Sequence, residues 1–243
     1  GALDYYNRTT RDLLYWYPVD ASKYEAGSML LNLGSLRNQG VELALNGIAI
    51  NHKNFVWNLG LTLAHNKNKV LSLGNDEFKF PEADKQRGGV GDGSVGWTSQ
   101  KFQILEVGES VGNFYGFRFS RIGDDGTFYG FDAKGREKEF NQLKSRDKVI
   151  LGNALPILTW GLSSNMSFYN VDFSFNLRGA IGGKLLNTKR LAYGNQTSLA
   201  SGNMIVSPDN KLTPPKVMTD YYLESGTYAK LGDITIGYTF QLK

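Results

Sequence analysis

Residues 55–64 read Phe-Val-Trp-Asn-Leu-Gly-Leu-Thr-Leu-Ala, and this stretch decides the fold class. From Phe55 to Leu63 every second side chain is large and apolar, while the side chains between them are mostly small or polar. Successive side chains of a β-strand point to opposite faces, so a period of two predicts a strand with one apolar and one polar face. The helical period of three to four is almost absent from the chain.

The same alternation recurs in four other segments, which predicts several strands of one kind. Their apolar positions are Val41, Leu43 and Leu45; Trp160, Leu162, Met166 and Phe168; Val171, Phe173, Phe175 and Leu177; and Ile234, Ile236, Tyr238 and Phe240. The positions between them are mostly small or polar. Ser164 is the one polar residue on the apolar face of its segment.

Two pairs of these segments flank short polar turns and predict β-hairpins. Residues 36–48 pair with 54–68, and residues 157–168 pair with 171–182. Four longer segments are rich in Gly, Asp, Asn, Lys and Ser and predict loops. They are residues 18–30, 74–99, 123–150 and 187–220. Tight turns at one end of a sheet and long loops at the other are typical of membrane β-barrels.

The length of the strands bears on whether the sheet is soluble or lies in a membrane. We expect roughly eight strands long enough to cross a bilayer, which takes about 9–11 residues each. In a soluble sandwich the apolar face forms the core, whereas in a membrane barrel it meets lipid. The strand length and the 13 Tyr, 14 Phe and 4 Trp residues favour the barrel.

Charge and composition exclude several classes of function. The net charge is +4 with a pI near 9.0, and the basic residues are scattered, so we expect no nucleic-acid partner. The absence of cysteine leaves the cellular compartment open. The chain contains no apolar run near the roughly 20 residues that a membrane helix needs. Its first residues already read as a strand, so for an exported protein we expect the true N-terminus to lie upstream or to have been removed.

Five phrases, in order along the chain, resemble the barrel of SusC/RagA-type TonB-dependent transporters of the Bacteroidetes. The sharpest is residues 32–42, which match N-x-G-x-x-x-N-x-G-x-E. The other four are a T-x-D-L run within residues 3–14; V-G-x-x-x-G-x-F-Y-G at residues 107–116; G-x-x-x-P-x-x-x-x-G-L at residues 152–162; and residues 222–231 with 234–238, similar to D-G-S-Y-x-R-L and T-L-G-Y. The chain departs from the family in having Ser225-Gly226-Thr227 where Asp-Gly-Ser is commoner.

The resemblance implies a fold and a function. It implies an all-β chain, an antiparallel transmembrane β-barrel segment that is part of a 22-stranded barrel, since plugged transporters of this kind close with about 22 strands. Residues 1–243 would be a C-terminal barrel portion without the plug domain. The whole protein would import oligosaccharides or peptides across the Gram-negative outer membrane with energy from TonB. Its partners would be a SusD-like surface lipoprotein, TonB acting through the plug, outer-membrane lipid and the remaining barrel strands.

Candidate sites for chemistry are few. No catalytic set, cofactor motif or metal-ligand spacing stands out, so we expect no enzyme. Asp124, Asp125 and Asp132 hint at calcium, although an acidic β-turn fits their spacing better. In or near the predicted outer loops, aromatic and amide side chains could contact substrate or lid. These candidates are Trp16, Trp97, Tyr193 and Asn195.

Three alternatives to an importer stay open at this point. One is a soluble β-sandwich that binds carbohydrate or acts as an adhesin module. Another is a β-rich carbohydrate hydrolase, which would need two carboxylates facing one cleft. The third is a structural outer-membrane barrel that shares the family's strands and imports nothing.

Overall fold

The computed structural model describes residues 1–80, 85–87, 101–194 and 217–240. Within these ranges the chain is built mainly of β-strands joined by short helices and turns. The strands are β1 Ala2–Pro18, β2 Ser28–His52, β3 Phe55–Ser72, β4 Gln86–Arg87, β5 Gln103–Ile104, β6 Asn113–Gly116, β7 Arg118–Ile122, β8 Phe128–Phe131, β9 Glu137–Glu139, β10 Val149–Asn153, β11 Leu158–Phe168, β12 Val171–Ile181, β13 Lys184–Leu186, β14 Leu223–Ser225 and β15 Tyr228–Tyr238. The α-helices are α1 Ala21–Tyr24 and α2 Thr188–Tyr193, and 3-10 turns span Phe140–Gln142, Ser145–Asp147 and Asp220–Tyr222. No helix in the described ranges is long and apolar enough to span a bilayer.

Six long strands form one antiparallel sheet in the order β1-β2-β3-β11-β12-β15. Both predicted hairpins are confirmed, because β2 pairs with β3 and β11 pairs with β12. The two tight turns lie side by side: the Asn54 side-chain amide donates to the Tyr169 hydroxyl at 3.0 Å, and the Tyr169 amide donates to the Asn54 carbonyl at 3.0 Å. Tyr169 adopts a left-handed backbone with φ of 51°, which lets residues 169–170 reverse the chain.

The prediction of roughly eight membrane-length strands was too high for the described residues, where six strands have eleven residues or more. The segment 123–150, predicted as a loop, contains the short strands β8, β9 and the start of β10. Strands of three to five residues show too few alternations for their period to stand out from polar, Gly-rich turns. Segments 18–30 and 187–220 likewise contain α1, the start of β2 and α2.

Register places the alternating residues of all six strands on two continuous faces. Residues paired directly across antiparallel strands point to the same side of a sheet. One row runs Leu3–Leu43–Leu63–Trp160 from β1 to β11, and a second row runs Met166–Phe173–Ile236 from β11 to β15. We call this side the apolar face.

No second sheet packs on the apolar face in the described part of the chain. Its side chains are widely exposed, reaching 71% for Leu3, 73% for Ile236 and 56% for Tyr238. Ser164, the polar exception, is 1% exposed because it lies under the Trp57 indole, whose Nε1 donates to the Ser164 hydroxyl at 2.9 Å. A soluble protein rarely leaves so large an apolar surface uncovered.

At the end opposite the tight turns, the long connections fold into a compact cap. The cap consists of residues 101–157 and 182–227 as far as they are described, and a parallel bridge between Phe117 and Thr219 joins its two halves. Its core is aromatic, with Phe128 packed edge-on against Phe140 and Tyr221. The cap lies on the other side of the sheet from the apolar face, because buried Asn68 accepts hydrogen bonds from the Val111 amide and the Ser110 hydroxyl at 2.8 Å each.

Candidate functional site

The side of the sheet opposite the apolar face carries small and polar residues, and we call it the polar wall. Its successive rows are Asp4–Glu42–Ala64–Thr159, then Ala44–Thr62–Gly161–Arg178, then Asn46–Gly60–Ser163–Asn176–Asp233. The middle of each row is small, since β3 and β11 contribute Gly60, Gly161 and Ala64. The side chains at the centre of the wall are therefore short, and the charged side chains lie at its two sides.

A groove of about 340 Å³ lies along this centre of short side chains. Asp4 and Glu42 line one side of the groove and Arg178 lines the other, with Thr62 and Thr159 between them. Gly161 keeps the floor flat, because a Cβ at this position would lie 2.7 Å from the Thr62 hydroxyl oxygen. The groove can therefore take an extended ligand and offers it carboxylates at one side, a guanidinium at the other and hydroxyls along its floor.

Glu42 and Arg178 occupy polar positions of the alternating segments, and the sequence alone does not single them out as site residues. Their convergence depends on β3 pairing with β11 across the whole of segment 73–157. No short motif signals that pairing. The sequence marks Glu42 and Arg178 as the longest side chains among the polar positions of their segments, but it does not bring them together.

The predicted contact residues do not come together at this groove. Trp16 is 59% exposed on β1 and points away from its neighbours Tyr15 and Tyr17, which pack against Phe80. Tyr193 is half-buried at the end of α2, in the cap. Trp97 and Asn195 lie outside the described residues. A contact of these four residues with substrate or lid stays a prediction.

The cap carries a cluster of stacked cations and rings that sequence analysis missed. The Arg190 guanidinium lies 4.1 Å from the Tyr221 ring centroid and donates to the Tyr221 carbonyl at 3.3 Å. Lys148 lies 5.9 Å from the Tyr115 ring and 5.7 Å from the Phe117 ring. Desolvation by burial lowers the pKa of Lys148 and raises the pKa of Tyr115. Such side chains hold the cap together and fix its shape.

The acidic residues that hinted at calcium instead close their own turns. Asp125 accepts from the Thr127 amide at 2.9 Å and from the Thr127 hydroxyl at 2.7 Å. Asp132 accepts from the amides of Lys134 and Arg136 at 2.9 Å each, and its other oxygen accepts from Arg136 Nε at 2.9 Å. In the ranges that the structure describes, no three metal-ligating side chains come together. These contacts are those of acidic β-turns, in which the carboxylate accepts from amides of its own turn.

Five cationic side chains surround the two buried carboxylates of this region. A depression of about 470 Å³ is lined by Lys134, Arg136, Lys138, Lys144 and Arg146 together with Asp132 and Asp147. Asp147 accepts from the Ala133 amide at 3.0 Å and from the Lys144 amide at 2.8 Å. These amides lower the pKa of Asp147, that of Lys144 most. The carboxylates therefore fix the loop backbone, and the cations remain at its surface.

Comparison with known proteins relates almost the whole chain to TonB-dependent receptors. TonB-dependent receptor P26 of Formosa agariphila is 30% identical over 266 residues, which cover 97% of this chain. TonB-dependent receptor SusC of Bacteroides thetaiotaomicron is 27% identical over 259 residues, which cover 99% of this chain. The chain spans about a quarter of the length of these relatives, 25% and 24% respectively. No family model matches the chain.

Solved structures give the same fold. The RagAB peptide transporter superimposes with a TM-score of 0.69 at 20% identity, covering 97% of this chain and 26% of that chain. The RagAB peptide importer in its open-open state gives a TM-score of 0.70 at 18% identity with the same coverage. The six-stranded sheet is thus a segment of an antiparallel transmembrane β-barrel. The relatives are receptors and transporters by name.

Proposed function

Since the chain belongs to the SusC/RagA-type TonB-dependent receptors of the outer membrane, we propose that it forms one section of the wall and outer loops of an active importer. The importer takes up oligosaccharides or peptides with energy delivered by TonB. The described residues supply barrel strands and a cap to this importer. Further strands of the same protein close the barrel at about 22 strands.

One observation carries this proposal: the sheet has an exposed apolar face and a polar wall across all six long strands. Lipid covers such a face at no cost in exposed apolar area, whereas in water each Å² left exposed costs about 25 cal/mol. A soluble sandwich would need a second sheet packed about 10 Å away, and the described residues place none there. The apolar face therefore favours the barrel over the sandwich.

The arrangement of turns and cap gives the orientation. The tight turns at residues 53–54 and 169–170 lie at one end of the sheet, and the cap lies at the other. Outer-membrane barrels keep short turns in the periplasm and long loops outside the cell. The cap therefore faces the exterior, where a SusD-like lipoprotein closes over it, and Tyr193 and Trp16 lie at that end. The plug, through which TonB acts, occupies the lumen beside the polar wall.

The groove on the polar wall bears on the class of substrate. Carboxylates of Asp4 and Glu42 lie on one side and the Arg178 guanidinium on the other, across about three strand spacings of roughly 4.8 Å. This separation of charge favours a ligand, or a plug surface, that carries both signs. Peptides carry both signs, whereas neutral oligosaccharides carry neither. As a contact for cargo, the groove favours peptide over uncharged sugar.

Uptake by the full-length protein tests the proposal. A strain that lacks the gene should lose TonB-dependent uptake of labelled oligopeptides or oligosaccharides, and the full-length gene should restore it. Arg178→Gln should lower peptide uptake several-fold, while Ser163→Ala, one row below on the same wall, should leave it unchanged. Uptake that persists without the gene or without TonB would contradict the importer. A folded barrel that imports neither class would favour a structural role.

A further inference from the structure

The outward surface of the sheet changes from apolar to polar beyond Leu63 on β3. On β3 the residues that follow Leu63 on the same side are His65, Lys67 and Lys69. Lys67 pairs with Gln39, which pairs with Asn7 on β1, and Lys69 pairs with Arg37, which pairs with Thr9, so these two rows are polar. On β2 and β3 the apolar rows therefore give way to polar rows at the height where the cap begins on the other side.

Three cations lie together within these rows. Arg37 and Lys69 are direct cross-strand partners, and Lys67 lies two residues from Lys69 on the same face. Partners of this kind have Cβ atoms about 4.5–5.5 Å apart, and residues two apart on a strand are about 7 Å apart. All three side chains are exposed. We name Arg37, Lys67 and Lys69 the outer basic patch.

The patch has no paired carboxylate among the described residues. None of its three residues forms an ion pair with a carboxylate in the described ranges, where the ion pairs involve Arg121, Arg136 and Lys138. Like charges directly opposite each other on a sheet destabilise it. Because these positive charges repel one another, an anion bound over the patch would stabilise the folded protein.

The outward direction of the patch follows from two independent contacts on the other side. Tyr6, Gly40 and Asn66 alternate with the patch rows, and the Tyr6 hydroxyl donates to the Asn66 side-chain oxygen at 3.0 Å, which places them on the polar wall. Asn68, between Lys67 and Lys69, is 4% exposed beneath the cap. The lysines on either side of Asn68 therefore point away from the lumen.

We propose that the outer basic patch binds the phosphorylated headgroups of the outer-leaflet lipid. It continues the lipid-contacting surface at its exterior end, where the outer leaflet of a Gram-negative outer membrane presents phosphate-bearing glycolipid. Cations just beyond an apolar band lie at the height of headgroups and attract anionic ones. Asn7, Thr9 and Gln39 complete the patch with hydrogen-bonding groups for phosphate and sugar oxygens.

Lipid A titration into the detergent-solubilised full-length protein tests this proposal. The test variant replaces all three patch residues, Arg37→Gln, Lys67→Gln and Lys69→Gln. The control variant makes the same change of charge elsewhere, with Arg8→Gln and Lys230→Gln on the polar wall and Lys53→Gln at the opposite end of the barrel. Binding is measured by native mass spectrometry on folded protein. Dephosphorylated lipid A serves as the probe for the role of phosphate.

Basic residues near an anionic lipid surface each strengthen binding roughly fivefold, so the test variant should bind lipid A on the order of a hundredfold more weakly. The control variant should bind as the parent does, and dephosphorylated lipid A should bind parent and test variant alike. Equal lipid A affinity in parent and test variant would overturn the proposal. So would a test variant that keeps lipid A and instead changes oligomeric state, since the patch would then contact a second barrel.

Discussion

The ring of Tyr6 lies directly over Gly40 on the neighbouring strand. A Cβ at Gly40 would overlap the ring, whose hydroxyl reaches on to Asn66 at 3.0 Å. Gly40 is the second glycine of the phrase at residues 32–42 that resembles the family. An aromatic ring packed over a cross-strand glycine covers exposed backbone and fixes the register of the two strands. The close approach of Tyr6 gives a physical reason for glycine at this position.

Gly40→Val should destabilise the barrel by about 1–3 kcal/mol, the usual cost of overpacking a filled site. The measurement is the thermal melting of the full-length protein in detergent. Gly47→Val is the matched control on the same strand, because a Cβ at Gly47 meets open space among the described residues. If Gly40→Val melts as the control does, or if adding Tyr6→Ala to it restores no stability, the packing explanation fails.

The indole of Trp57 supplies a second test, on the apolar face. Ser164→Ala leaves the Trp57 Nε1 hydrogen without its 2.9 Å partner, and a buried hydrogen bond of this kind contributes about 1 kcal/mol. We expect a loss of that size in denaturant unfolding of the full-length protein. In a Trp57→Phe background the same substitution should cost almost nothing. An equal cost in both backgrounds would show that the hydroxyl acts by another contact.

Because of Asp132, the stability of the cap should change with pH in the acid range. The amide of Arg136 is the largest of several groups that lower the pKa of Asp132 from 3.8 to about 2. Because the folded pKa lies below the unfolded one, the stabilisation is full above about pH 4 and is lost as the pH falls through about 2. Asp132→Asn should therefore weaken the cap at neutral pH and have progressively less effect on acidification.

Amide hydrogen exchange at Lys134 and Arg136 measures this local stability, since both amides donate to Asp132. Asp124→Asn is a suitable control, because Asp124 accepts no side-chain hydrogen bond in the described part of the cap. Protection that stays the same in Asp132→Asn, or that differs from the parent equally at pH 2 and pH 7, would count against a role for the carboxylate.

Much of the barrel wall was predictable from alternation, because strands of eleven residues or more repeat their two faces often. The turn at residues 169–170 and the exceptional position of Ser164 were both read from the sequence. The partner of Ser164 was not, because Trp57 lies on a strand that reaches β11 only across segment 73–157. The groove between Glu42 and Arg178 depends on the same long-range pairing, and local pattern carries no information about it.

The cap was the least predictable part. Its strands are two to five residues long, and its core joins Phe117 to Thr219 through loops distant in sequence. Composition alone describes such a region as polar and rich in turns, which is how segment 123–150 was read. Packing of Phe128 against Tyr221 builds a folded unit from these loops.

The environment of alternate residues along β11 is the most direct test of the central claim that the apolar face meets lipid. This stretch of the protein has no cysteine, so single cysteines can carry a nitroxide label at positions 160 to 167 of the full-length protein in lipid bilayers. We expect high oxygen accessibility, typical of lipid, for labels replacing Trp160, Leu162 and Met166, and low accessibility for Gly161, Ser163 and Asn165. Labels that show no period of two, or that place Leu162 in water or in a protein core, would contradict the account.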